Sequence, residues 1–89
     1  MSDSDETLIE FPTAFPVKVM GRNHEDFVDH ATALVMQHSD AEVPLSVEAK
    51  ESRNGRFLSV TVEITATSRA QLDAIYQSLT DDDQVVMAL

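Results

Sequence analysis

The sequence predicts an α+β fold, a four-stranded antiparallel sheet with two helices packed on one face. Three observations carry it. The stretch Phe57–Thr67 alternates apolar and polar residues without a break, the period of a half-buried strand. An Asn54-Gly55 pair stands just before it, behind a second alternating stretch from Val43 to Ser52. Two further segments, one on each side of this ribbon, repeat apolar residues at helical spacing.

Asn-Gly favours a two-residue type I′ turn, in which both central residues take positive φ. Closing Arg53 onto Arg56 fixes the pairing. Ala49 faces Val60, Val47 faces Val62, Leu45 faces Ile64 and Val43 faces Ala66. Glu48 and Thr61, then Lys50 and Ser59, meet on the reverse side. A slip of one residue would set each Val against a polar side chain, so pattern and turn agree.

The other elements follow in order. Residues 1–10 are read as a disordered acidic tail, and residues 11–89 as one domain. Pro12 and Pro16 favour extended chain, and Phe15–Met20 reads as a short strand ended by Gly21. Asn23 is placed as the cap of a first helix whose buried face is Phe27, Val28, Ala31, Leu34 and Val35, ending near His38. Pro44 marks the start of the second strand. Ser68 and Gln71 form a capping box for a second helix with the stripe Leu72, Ile75, Tyr76 and Leu79. Thr80–Asp83 reads as a turn. Val85–Leu89 is a last strand, and either Val85, Met87 and Leu89 or Val86 and Ala88 would serve as its inward side. The order β-α-β-β-α-β with right-handed crossovers gives the ferredoxin-like plan, strand order 4-1-3-2.

Composition narrows the function. The chain has 89 residues and a formal net charge of −10, from 16 acids against 6 Lys and Arg. Such a surface repels phosphate backbones and anionic lipid, so no nucleic acid and no membrane is expected as partner. Solubility or a salt-adapted source explains the charge without any partner. The absence of cysteine excludes disulfides, thiolate metal sites and cysteine nucleophiles. No basic segment followed by an apolar run opens the sequence, and no apolar run approaches the ~20 residues of a spanning helix. The expectation is a cytoplasmic protein.

The run Phe11-Pro12, Phe15 and Lys18-Val19-Met20-Gly21, with Ser59-Val60, Tyr76 and the closing Val85-x-Met87-x-Leu89, resembles the YbeD-like proteins. These are small bacterial proteins of unknown function. The resemblance covers Leu8–Leu89 and implies a ferredoxin-like fold similar to the ACT regulatory domain, which binds small effectors, often amino acids, between paired domains. It also implies a loose link to lipoate metabolism through gene proximity. It implies no catalytic residue.

Candidate sites are few. Gly21, Arg22 and Asn23, at the first strand–helix turn, are where an ACT-like domain would bring backbone close to an effector, and a capped helix N-terminus could receive a carboxylate. The plainer reading is a tight turn and a solvated Arg. Glu25 and Asp26 argue against an anion there. His24, His30 and His38 lack the spacing of a metal site, Asp26–His30 reads as a surface hydrogen bond, and His38 is placed at the last carbonyls of its helix. Asp81-Asp82-Asp83 lacks the spacing of a calcium loop. No hydroxyl has a base near it in sequence, so no enzyme and no cofactor is expected. The outer sheet face presents Lys18, Met20, Glu48, Lys50, Phe57, Ser59, Thr61 and Glu63. Met20, Phe57, Ser59 and Thr61 are its candidate contact residues, with Lys50 and Glu51 as guards of the exposed edge. The leading expectation is an ACT-like regulatory domain binding a small-molecule effector or a protein, with a homodimer among its partners. The alternative is an interaction module that uses the outer face or the edge strand.

Overall fold

The computed structural model describes residues 9–89. The expected acidic tail therefore falls largely outside the described residues. Six elements follow the chain: β1 (Thr13–Arg22), α1 (Phe27–Met36), β2 (Ser46–Glu51), β3 (Phe57–Ala66), α2 (Arg69–Asp81) and β4 (Val85–Ala88). The sheet is antiparallel in the order β2-β3-β1-β4, which is the expected order read from the other edge.

The alternation of β3 places Leu58, Val60, Val62, Ile64 and Ala66 in the core. Val17 and Val19 of β1 lie beside them, and Phe27, Ala31 and Val35 of α1 with Leu72, Ile75 and Leu79 of α2 close the layer from above. The helical stripes are thus the expected ones, with Val28, Leu34 and Tyr76 at the margin. β1 is longer than the Phe15–Met20 expected. Lys18 N–H donates to Leu89 O at 3.0 Å, so the alternate residue Pro16 turns its missing N–H past the last paired residue of β4, where no ladder bond is lost.

The hairpin has the expected pairing, Val47 with Val62 and Ala49 with Val60, through a different turn. Among the described residues Gly55 alone has positive φ, at 73°, and no non-glycine residue does. Ser52 N–H donates to Phe57 O at 2.9 Å, and Gly55 N–H donates to Ser52 O at 2.9 Å. The loop is therefore the four residues Arg53–Arg56, not a type I′ pair. Asn54 Oδ1 accepts from Arg56 N–H at 3.0 Å and from the Ser52 hydroxyl at 3.1 Å, which holds Asn54 outside the left-handed region.

β2 also starts later than expected. Leu45 N–H bonds Glu63 O at 2.7 Å, the carbonyl of the residue that Ser46 faces, so the pairs Leu45–Ile64 and Val43–Ala66 do not form. Val43 is 71 % exposed and Leu45 56 %. Every residue of β2 is exposed, because the helices pack chiefly over β1, β3 and β4.

Four end effects depart from the sequence pattern. α1 begins at Phe27 with Asp26 at its N-cap position and no side-chain cap bond, so Asn23 is not the cap. Ser68 Oγ does accept from Gln71 N–H at 3.0 Å, but Gln71 Oε1 returns to Thr67 N–H at 2.7 Å, which is half a capping box. Thr80 and Asp81 belong to α2, not to a turn. In β4 a bulge opposite Met20 and Gly21 breaks the alternation, so Val85 and Ala88 are the residues packed against the core while Val86, Met87 and Leu89 are exposed.

Candidate functional site

Gly21, Arg22 and Asn23 do not converge on a shared space. Gly21 is a buried strand residue, not a turn. An added Cβ there would run into the Phe27 ring and the Gln84 carbonyl, so the glycine exists for the approach of the helix. Asn23 is tied down. Its N–H donates to Arg56 O and its Nδ2 to Gly55 O, both at 3.0 Å, which pins the end of β1 to the hairpin turn. Only Arg22 remains open. It lines a cleft of about 220 Å³ with His24, Asp83, Gln84 and Val86.

The histidines tie the helix layer together. His30 Nε2 lies 2.9 Å from both oxygens of Asp82, and His24 Nε2 lies 2.7 Å from Gln84 Oε1. His38 Nε2 meets Ser78 Oγ at 2.8 Å, while its own carbonyl accepts from Gln71 Nε2 at 2.9 Å. So His38 bridges the helices and does not serve its own last turn, and His30 pairs with Asp82 instead of Asp26. Among the described residues no three His, Asp or Glu side chains converge as a metal ion would require.

Burial raises the Asp82 carboxyl. The His30 hydrogen bond, the Gln84 N–H and the His30 charge outweigh it and hold the group below its usual range. A depressed carboxyl contributes stability that is present above its unfolded pKa and lost as pH falls through the folded one. Unfolding by urea between pH 5 and pH 2 should therefore show a steeper loss for the native chain than for Asp82→Asn. Parallel curves for the two proteins would remove the carboxylate's contribution.

Among the described residues no element covers the outer sheet face. Alternation along β1 and β3 puts Lys18, Met20 and Arg22 beside Phe57, Ser59 and Thr61 on it. Met20, Phe57 and Ser59 line a largely apolar hollow of about 280 Å³, rimmed by Lys50, Glu51 and Arg53. Thr61 and Ser59, with Lys18, Glu48 and Lys50, line a broader depression of about 550 Å³. The four expected contact residues thus lie together on one surface. Sequence reasoning did not foresee its charge. Five of the six Lys and Arg residues, Lys18, Arg22, Lys50, Arg53 and Arg56, lie on this face or in the hairpin loop at its end. In a chain of net charge −10 the positive charge is gathered on the side away from the helices.

No helix among the described residues is long and apolar enough to cross a membrane. The solution structure of protein HP0495 from H. pylori superposes with a TM-score of 0.76 at 23% identity, covering 100% of this chain and 93% of that one. The C-terminal domain of the MgtC protein from Mycobacterium tuberculosis gives 0.67 at 13% identity, over 91% and 87%. At these identities the likeness concerns the fold alone. In sequence the chain is 47% identical to a UPF0250 protein of Chromobacterium violaceum over the whole of both chains. It is 41% identical to a UPF0250 protein of Nitrosomonas europaea, over 97% of this chain and 99% of that one. The model of a family described as protein of unknown function (DUF493) matches residues 6–89, and the chain belongs to that YbeD-like family.

Proposed function

We propose that the chain is a non-catalytic, cytoplasmic regulatory domain of ACT-like architecture that acts by binding an acidic, partly apolar segment of a protein on its open sheet face. One observation carries the reading, an apolar floor of Met20 and Phe57 with Lys50 and Arg53 at its rim, on a face and loop end that also hold Lys18, Arg22 and Arg56. A sheet face with no helix over it among the described residues offers room for an extended or helical segment, and Lys50 and Arg53 at the rim favour carboxylates. The small-molecule reading at the first strand–helix turn has less support, because Phe27 fills the space above Gly21 and the hairpin occupies Asn23.

The test is capture from a bacterial extract at low salt with the native chain, with Lys18→Glu/Arg53→Glu, and with Arg69→Glu as a control away from the face. A specific partner should be held by the native chain and by the control, and lost from the double variant and on raising salt. A partner held equally by all three, or none at low salt, removes the reading. Amino acids and lipoate, added to the purified chain in a melting assay, test the effector alternative. A stabilising effect abolished by Arg22→Ala would move the site to the β1–α1 turn.

A further inference from the structure

The geometry points to a second site, sharing Lys50 with the binding face, a self-complementary strand edge at which β2 pairs antiparallel with β2 of a second copy about a twofold axis at Ala49. β2 is an edge strand and all six of its residues are exposed. Ser52 directs its N–H to Phe57. By the alternation of an antiparallel ladder, Ser46, Glu48 and Lys50 also face β3, and Val47, Ala49 and Glu51 turn their backbone groups outward. Neither a proline nor a bulge interrupts Ser46–Glu51, and no strand covers it among the described residues. Such an edge is a template for another strand.

Charge and backbone direction select both the partner and the register. A twofold at Glu48 would set two Glu48 carboxylates opposite one another, and a twofold at Lys50 would do the same with two ammonium groups. A twofold at Val47 would need Leu45 to bond outward to Ala49, but the Leu45 N–H is already turned inward to Glu63 O at 2.7 Å. With the axis at Ala49, Glu48 of each copy meets Lys50 of the other, twice, on the outer face. On the helix side Val47, 37 % exposed in the single chain, is covered by the aliphatic stem of Glu51. The three outward-facing residues are all used. The result is an eight-stranded sheet with four helices on one side and the two basic faces joined on the other.

The full chain lacks cysteine, so a single introduced thiol reports the axis. Opposed residues of a hydrogen-bonded pair lie about 5.5 Å apart at Cα, within disulfide reach. Under mild oxidation at physiological salt, Ala49→Cys should form a covalent dimer and Val47→Cys should not. In sedimentation the native chain should dimerise with rising concentration. Glu48→Lys and Lys50→Glu should each weaken the dimer about tenfold or more, and the double exchange should restore it. These positions are exposed, and circular dichroism of each variant checks its folding. A monomer at high micromolar concentration, cross-linking at Val47 in place of Ala49, or a double exchange that does not restore pairing overturns the proposal. Partner capture through Lys18 and Arg53 does not depend on pairing, so it can stand when the dimer fails, and the dimer can stand when capture fails.

Discussion

Phe27→Ala should lower the unfolding free energy by about 3–5 kcal/mol, the usual cost of truncating a large core aromatic. Phe27 is fully buried although it is the first residue of α1. Its ring lies over Gly21, with the His24 ring edge-on at 5.9 Å and the His30 ring at 6.4 Å. Truncation would open a cavity that the sheet cannot close, since the strand below has no side chain to move into it. It would also free the start of a helix that has no side-chain cap bond. Domains of this size have about 5–15 kcal/mol in total, so the variant should be partly unfolded at 37 °C. Urea unfolding measures the effect. Phe27→Leu, which keeps most of the volume, should cost clearly less. A loss below about 1 kcal/mol for the alanine variant would mean that the ring does not hold the helix to the sheet.

What the sequence made legible follows from the range of each signal. Period-two and helical patterns are local, and they place all six elements. The strand order then follows from the handedness of the crossovers. The β2–β3 register was readable even though the turn was not, because adding one residue on each side of Asn54-Gly55 leaves the same residues opposed. Alternation tells which side of β2 is apolar, but not whether a helix lies over it. Val43, Leu45 and Val47 were therefore placed inside and are outside. Gly21 was read as a turn because a glycine between strand and helix usually is one. Its true reason is the Phe27 ring six residues on and the Gln84 carbonyl much later, and neither is a local signal. Asn23 before two acids reads as a cap. The chain instead needs three more residues to bring Phe27 back over Gly21, and Asn23 is left to bond the hairpin. The contact between His30 and Asp82 joins residues 52 apart, and no spacing rule would reveal it.

Gly21→Ala should cost about 1–3 kcal/mol by overpacking, despite adding a single methyl group to a strand, where alanine is otherwise no worse than glycine. φ at Gly21 is not in the left-handed region, so backbone strain makes no contribution and the whole effect is steric. The collision has two sides, the Phe27 ring and the Gln84 backbone, and they yield differently. A shortened side chain relieves the first. Gly21→Ala should therefore be milder in a Phe27→Leu background, with a coupling of about 0.5–3 kcal/mol in the double-mutant cycle. The backbone carbonyl remains, so the relief should be incomplete unless β4 shifts at its bulge. Full additivity would place the methyl group away from the ring. The same variant separates the two binding readings, because Gly21 points into the helix layer while Met20 and Arg22 point out of it. Below its melting point the folded Gly21→Ala chain should keep any partner of the outer face. An effector seated against bare backbone at residue 21 should be lost from it.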